Sequence, residues 1–162
     1  MMKYTFLFLF AFYQASGQSV VTGLIDGDTY VVKSGTIKER VRIEGIDTPE
    51  ELWPGKWPAQ PWAYQVEDSV RALIHTKTVT LETFGVDQYG RTLARIYLDG
   101  RDVAEIILRN GWAHYERNDL DKKTRRKYQR LRDYAKENKI GIWSDANVIA
   151  PKIWRKMKHP KI

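Results

Sequence analysis

Alternation of apolar and polar residues marks five short strands along the chain. They are predicted over residues 20–25, 29–33, 38–43, 78–84 and 92–98. Each run either is rich in β-branched residues or alternates with the two-residue period of a half-buried strand. Asp26-Gly27 between the first two runs is a typical hairpin turn, and Asp99-Gly100 turns the chain after the fifth. The pattern predicts a β-rich core of short, closely connected strands.

Three other segments carry apolar residues at helical spacing. Residues 61–75 begin at Pro61, which a first helical turn tolerates, and residues 102–109 end at Asn110-Gly111. Residues 121–139 form a longer helix, so one helix lies between the third and fourth strands and two follow the fifth. We expect an α+β (β-rich) domain: a five-stranded OB-fold-like barrel with about three packed helices.

The first 17 residues differ from the rest of the chain. Lys3 precedes an apolar run over residues 4–13, which the small residues at 15–17 follow, as at a signal-peptide cleavage site. The run is shorter than the roughly 20 residues that span a bilayer. We interpret residues 1–17 as a signal peptide cleaved near Gly17/Gln18, which predicts a secreted or periplasmic protein. An uncleaved anchor or a buried N-terminal strand is the alternative.

Composition narrows the classes of function. A length of 162 residues suits one domain, which we place at residues 18–149, with a basic C-terminal tail at 150–162. The chain has no cysteine, which excludes disulfides and thiolate metal sites. The net charge of +7 favours a polyanionic partner. Charge alone does not distinguish nucleic acid from an anionic cell surface, so a protein that binds surface polymers is one alternative.

Three short segments concentrate acidic, basic and turn residues, at 26–29, 42–50 and 87–91. Hydrolysis of a phosphodiester needs a cation held by oxygen ligands, guanidinium groups on the phosphate and a carboxylate near the attacking water. The side chains that match these needs are Asp28 and Asp47 for a cation, Arg42 and Arg91 for phosphate, and Glu50 for water. Taken singly, each segment also fits an ordinary turn, a surface ion pair or an Asx turn.

Together these segments resemble the staphylococcal nuclease (thermonuclease-like) family. The matching motifs are Asp-Gly-Asp-Thr at 26–29, Val-Arg-Ile-Glu-Gly-Ile-Asp-Thr-Pro-Glu at 41–50, Tyr-Gly-Arg-Thr-Leu-Ala-Arg at 89–95 and Gly-Ile-Trp-Ser at 141–144. The resemblance implies a Ca2+-dependent endonuclease that acts on DNA and RNA and leaves 3′-phosphate ends. Single-stranded or frayed regions are the expected substrates, because the open face of an OB-fold suits them. A non-catalytic OB-fold nucleic-acid-binding module is the alternative, although degenerate modules lose the carboxylates and arginines that are present here.

The resemblance also implies a role for each motif residue. Asp28 and Asp47 would hold Ca2+ through their carboxylates, and Thr48 through its backbone carbonyl. Oxygen ligands suit Ca2+, and the lack of His or Cys ligands argues against zinc. Arg42 and Arg91 would grip the scissile phosphate and stabilise the five-coordinate transition state.

The remaining roles concern water and the nucleotide. Glu50 would act as general base or position the attacking water, and Asp26 would order the ligands or water around the metal. Tyr89 and Tyr115 would contact the substrate, although a packed core tyrosine is an equal interpretation of Tyr115. The sequence departs from the family pattern at Gln88, where a basic residue is expected.

Three further segments leave two interpretations open. The loop 52–62 contains three tryptophans and is either a wall beside the active site or a rigid loop packed on the barrel. The basic face of helix 121–139 either contacts nucleic acid or is simply solvated. The tail after Pro151 is expected to be flexible and to add salt-dependent affinity. We further expect a monomer without stable membrane insertion after signal cleavage.

Overall fold

The computed structural model describes residues 18–116 and 120–159, so the predicted signal peptide at residues 1–17 lies outside the described residues. The strands are β1 (Ser19–Asp26), β2 (Thr29–Ser34), β3 (Ile37–Ile43), β4 (Ile46–Asp47), β5 (Thr78–Val86), β6 (Thr92–Leu98), β7 (Arg101–Asp102) and β8 (His114–Tyr115). The helices are α1 (Ala63–Ile74), α2 (Val103–Arg109), α3 (Lys122–Glu137), a 3-10 helix (Gly141–Ser144) and α4 (Pro151–Trp154).

Five strands close into a barrel in the order β3-β2-β1-β5-β6. Neighbouring strands in this order are antiparallel, and the barrel closes through a parallel pairing in which Arg42 of β3 lies beside Leu93 of β6. Pairing of Asp26 with Thr29 makes β1 and β2 a tight hairpin, as the Asp-Gly pair predicts. The expected five-stranded OB-like α+β fold is thereby confirmed.

The barrel interior and the inner faces of the helices form one core. Alternate residues of β2, β3 and β6 point inward, and α1 contributes residues at helical spacing, as the sequence pattern predicts. Fully or almost fully buried core side chains include Val21, Tyr30, Val32, Val41, Ile43, Val66, Val70, Ile74, Ile96 and Ile107. Helix α3 joins this core through Tyr128, whose hydroxyl donates to Asp102 Oδ2 at 2.7 Å. Asp102 also caps α2 through Ala104 N–H, so one carboxylate ties both helices together.

The structure adds elements that periodicity does not predict. The two-residue strands β4, β7 and β8 are too short to show an alternating pattern. Helix α4 lies in the tail that was expected to be flexible, and that tail instead packs against the loop before α1, where Trp154 Nε1 donates to the Pro58 carbonyl at 3.2 Å. Within residues 18–116 and 120–159, every helix is too short or too polar to cross a membrane.

Two glycines allow the C-terminal 3-10 helix to sit against the end of α2. Ile142 N–H donates to the Gly111 carbonyl at 2.9 Å. Gly141 has a φ of +58°, and a Cβ placed there would overlap the backbone oxygens of Asn110 and Gly111. The backbones are therefore in direct contact at this point, with no room for a side chain.

We expect Gly141→Ala to destabilise the fold more than Gly100→Ala. Both residues have positive φ, but nothing lies within 4 Å of a Cβ at Gly100. Gly100→Ala is the control and measures the cost of backbone strain alone, at about 1 kcal/mol or more. Overpacking at Gly141 should add about 1–3 kcal/mol to that cost. Denaturant unfolding of the two variants measures the difference. Equal losses would contradict the close contact between the two backbones.

Candidate active site

The β1–β2 hairpin carries Asp28 into the interior. Asp28 N–H donates to Asp26 Oδ1 at 2.9 Å, which closes the turn as an Asx turn, and the Asp28 residue is only 1% exposed. Gly27 lets the segment after β4 approach, because a Cβ there would lie 2.9 Å from Thr48 Oγ1. The hairpin thus fixes both the position and the burial of Asp28.

Asp28 is held in its ionised form by donors on both oxygens. Thr48 donates to Oδ2 from its backbone N–H at 2.9 Å and from its hydroxyl at 3.1 Å, and Thr29 Oγ1 donates to Oδ1 at 3.2 Å. Burial alone would raise the pKa of Asp28, but the charge of Arg42 and the Thr48 N–H hold it below its ordinary value. For Asp26 beside it, burial and repulsion from Asp28 outweigh the Asp28 N–H bond and the charge of Arg42, and raise its pKa well above the usual range.

Arg42 of β3 crosses between two buried carboxylates. Its Nη1 donates to Asp28 Oδ1, and its Nη2 donates to Asp47 Oδ1 at 3.1 Å. The same Nη2 donates to the Ile46 carbonyl at 3.2 Å, which fixes the guanidinium on β4. The Arg42 side chain is 14% exposed, so one edge of the guanidinium faces the open side of the site.

A second arginine reaches the same carboxylates from the C-terminal segment. Arg155 donates to both oxygens of Asp47, with Nη1 at 3.3 Å and Nη2 at 3.2 Å, and its Nη1 also contacts Glu50 Oε1. Burial raises the pKa of Glu50 above its ordinary value, although the charge of Arg155 opposes this shift. Burial and repulsion from Asp28 likewise raise the pKa of Asp47.

Arg91 lies at the edge of this cluster, on the turn between β5 and β6. Its Nε donates to Asp87 Oδ2 at 2.8 Å, and its Nη1 lies 3.4 Å from Thr29 Oγ1, which itself bonds Asp28. The guanidinium carbon is 5.4 Å from the ring centre of Tyr89, a residue that is 66% exposed. Arg91 therefore lies next to the threonine that bonds Asp28, and the exposed Tyr89 ring lies beside Arg91.

The contacts of two predicted site residues, Tyr115 and Thr48, differ from their predicted roles. Tyr115 lies in β8 opposite Ile46 and packs against the core, and its buried hydroxyl has no hydrogen-bond partner among the described residues. This position agrees better with the core interpretation than with base stacking. Thr48 uses its N–H and hydroxyl to hold Asp28, and its role as a carbonyl ligand stays a prediction.

The donor set suits a hard cation if the arginines move. Asp28 and Asp47 present carboxylate oxygens near one another, and their mutual repulsion is of the kind that a divalent cation relieves. In the described part of the chain, no group of three His, Cys, Asp or Glu side chains has the spacing to hold a metal by itself. A bound cation would therefore draw further oxygens from the backbone or water, and it would exchange with the Arg42 and Arg155 contacts.

A cleft lined by aromatic side chains leads away from the carboxylates. Ile25, Trp53 and Trp57 line it together with Asp28, Arg42 and Glu50. Trp53 is 51% exposed and packs edge-on against Trp57 at 5.1 Å between ring centres, with Lys56 Nζ 4.1 Å from the Trp53 ring centre. The tryptophans at 53 and 57 thus form a wall beside the site, whereas Trp62 packs against the core, so each of the two interpretations holds for part of this loop.

Three residues that sequence reasoning did not select also belong to the site. Glu116 lies 3.8 Å from Arg42, and Gln60 accepts a hydrogen bond from Glu50 N–H at 3.1 Å. Arg155 is the third, and a basic tail carries no signal that singles out one of its residues. Gln60 lies in the loop before α1 and Glu116 follows the two-residue strand β8, and neither segment has a periodic sequence pattern.

Comparison with known proteins finds similarity to nucleases. The family model "Staphylococcal nuclease homologue" matches residues 40–145. The "Uncharacterized endonuclease" of Escherichia coli is 35% identical over 141 residues, which cover 85% of this chain and 84% of that protein. The "Thermonuclease" of Staphylococcus hyicus is 30% identical over 127 residues, which cover 77% of this chain and 75% of that protein.

We expect Arg42→Met to destabilise the protein strongly when divalent cations are chelated. The change leaves Asp28 and Asp47 buried without their shared counter-charge, and such losses cost about 3–5 kcal/mol. The control is Arg71→Met, because Arg71 is 41% exposed and pairs with Glu67 on the surface of α1. That pair should contribute about 1 kcal/mol or less. Denaturant unfolding compares the two variants, and equal losses would contradict a central role for Arg42.

Proposed function

The chain belongs to the staphylococcal nuclease family, and from this membership we propose that it is an exported, Ca2+-dependent endonuclease. Its substrates would be DNA and RNA, with 3′-phosphate ends as products. The observation that carries the proposal is the convergence of Asp28, Arg42 and Glu50 at one open cleft. Asp47 is bonded to Arg42 beside this cleft, and Arg91 lies 3.4 Å from Thr29, which bonds Asp28. Such a set combines ligands for a cation, guanidinium groups that can hydrogen-bond a phosphate, and a carboxylate that can act as a base.

The proposed reaction uses Glu50 to activate water. A water oxygen attacks phosphorus while its proton passes to the Glu50 carboxylate. The bond from phosphorus to the 5′ oxygen breaks, and this oxygen keeps the electron pair and takes a proton from solvent to leave as a 5′-hydroxyl. Burial raises the pKa of Glu50, which makes the ionised carboxylate a better base near neutral pH. Its place beside Asp47 keeps the base close to the predicted cation ligands.

Arg42 and Arg91 would bind the phosphate oxygens on which charge develops. For Arg42 this means exchanging contacts with Asp28 and Asp47 for contacts with the phosphate. A divalent cation held by Asp28, Asp47 and the Thr48 carbonyl would supply further neutralisation of this charge. Asp26, which hydrogen-bonds the Asp28 backbone, would keep that ligand in place.

Two parts of the proposal rest on other features. Export rests on the pattern of residues 1–17, in which a lysine, an apolar run and small residues follow one another. Substrate contact at Trp53 rests on its exposure beside the carboxylates, because an exposed indole offers a base a surface for stacking.

The first test is cleavage of single-stranded DNA and RNA by residues 18–162 and by Glu50→Gln. We expect cleavage in Ca2+ and none in chelator, with a loss of about 10²–10⁴-fold in Glu50→Gln because a positioned base is removed. Glu137→Gln, an exposed change in α3, is the control and should leave the rate unchanged. A well-folded wild type that binds but does not cleave would favour the binding module instead.

The aromatic wall gives a second test. We expect Trp53→Ala to weaken binding of a single-stranded oligonucleotide by about 1–3 kcal/mol, the range for one stacked base. Tyr134→Ala is the matched control, because Tyr134 is 41% exposed on α3 and does not line the cleft. Titration of a fluorescent oligonucleotide measures both affinities in Ca2+ with the Glu50→Gln protein, which prevents turnover. Equal affinities of the two variants would remove Trp53 from the substrate site.

A further inference from the structure

The chain beyond the family match returns to the active site. The match ends at residue 145, and the segment 149–159, here called the C-terminal clamp, packs on the loop that follows Glu50. Trp154 Nε1 donates to the Pro58 carbonyl at 3.2 Å, and Pro151 at the start of α4 is buried. The clamp is therefore held at two points, one before α4 and one at its last residue, since Gln60 Nε2 donates to the Ile149 carbonyl.

Gln60 links the clamp to the backbone of Glu50. Its side-chain oxygen accepts from Glu50 N–H at 3.1 Å, and its own N–H donates to the Glu50 carbonyl at 2.8 Å. The Gln60 residue is 6% exposed, so these bonds lie away from water. One buried amide thus holds both the proposed base and the segment that carries Arg155.

Arg155 adds a side-chain contact between the C-terminal clamp and Glu50. Its guanidinium meets both oxygens of Asp47 and one oxygen of Glu50, and the Arg155 side chain is 32% exposed. The flat fork of an arginine suits such paired contacts, which fix direction as well as charge. Without it, Glu50 would face the negative charges of Asp47 and Asp28, both of which repel its carboxylate.

We propose that Arg155 is a positioning residue of the nuclease site, which holds the Glu50 carboxylate in place for water activation through the C-terminal clamp. The inference rests on the proposed function, because it assigns Arg155 to the same reaction. It extends the site beyond the family-matched residues. Anchoring by Trp154 and Gln60 fixes the segment that carries Arg155, so the guanidinium can give up Asp47 to a bound cation and still keep its contact with Glu50.

The test compares Arg155→Met with Lys156→Met in a protein of residues 18–162. Both changes remove one positive charge from the same segment, and Lys156 is exposed. We expect Arg155→Met to lower kcat by about 10–100-fold, as for other residues that orient catalytic groups, with little change in KM. Lys156→Met should leave kcat unchanged, and Arg155→Lys should recover part of the loss, because it restores the charge without the fork.

A double-mutant cycle with Glu50→Gln separates positioning from a structural role. If Arg155 acts through Glu50, adding Arg155→Met to Glu50→Gln should lower the residual rate no further. An additive loss would overturn the proposal, as would a kcat for Arg155→Met equal to that of Lys156→Met. Should Arg155→Met fail to fold, the same cycle with Arg155→Lys decides the question.

A measurement of Ca2+ binding without nucleic acid tests the alternative that Arg155 blocks the cation site. Titration calorimetry of Arg155→Met with Ca2+ alone shows whether the guanidinium mainly competes for Asp47. A rise in kcat together with tighter Ca2+ binding would make Arg155 a blocking group and would overturn the proposal. Absence of cleavage by the wild type would instead remove the nuclease function itself, so the two failures are distinguishable.

Discussion

A guanidinium held between two buried carboxylates is the interaction on which the site depends. Arg42 connects Asp28 of the β1–β2 hairpin with Asp47 of β4, and so joins the barrel wall to the loop that carries Glu50. Buried charges are costly unless each has a partner. The register of β2 on β3, which places Thr29 beside Arg42, fixes this pairing and therefore fixes the site.

The same cluster carries a surplus of negative charge. Burial and mutual repulsion raise the pKa values of Asp26, Asp47, Glu50 and Glu116, while Asp28 keeps its charge through Arg42 and Thr48. A barrel selected for stability alone would avoid such crowding. Sites that bind cations accept it, because a bound cation supplies the missing positive charge.

The open side of the site is formed by the loop 49–60, which is held in place by packing outside the barrel. The loop 49–60 has little regular structure, yet Gln60 and Trp154 fasten it to the C-terminal clamp, and Trp53 and Trp57 brace each other on its outer side. The base, its proposed positioning arginine and the aromatic wall therefore lie on segments that support one another. A change in the clamp is expected to reach Glu50 without altering the barrel.

The sequence by itself determined the barrel strands and the three longer helices, because their signals are local: period-two alternation, helical spacing and an Asp-Gly turn. It also predicted the grouping of Asp28, Arg42, Asp47 and Glu50, but through the resemblance of their motifs to a known family, since each motif alone fits an ordinary turn or ion pair. Only the tertiary structure decided the positions of Arg155, Gln60 and Glu116. Arg155 is 105 residues from Glu50, and its contact depends on Trp154 and Gln60 packing across that distance, which no local pattern encodes.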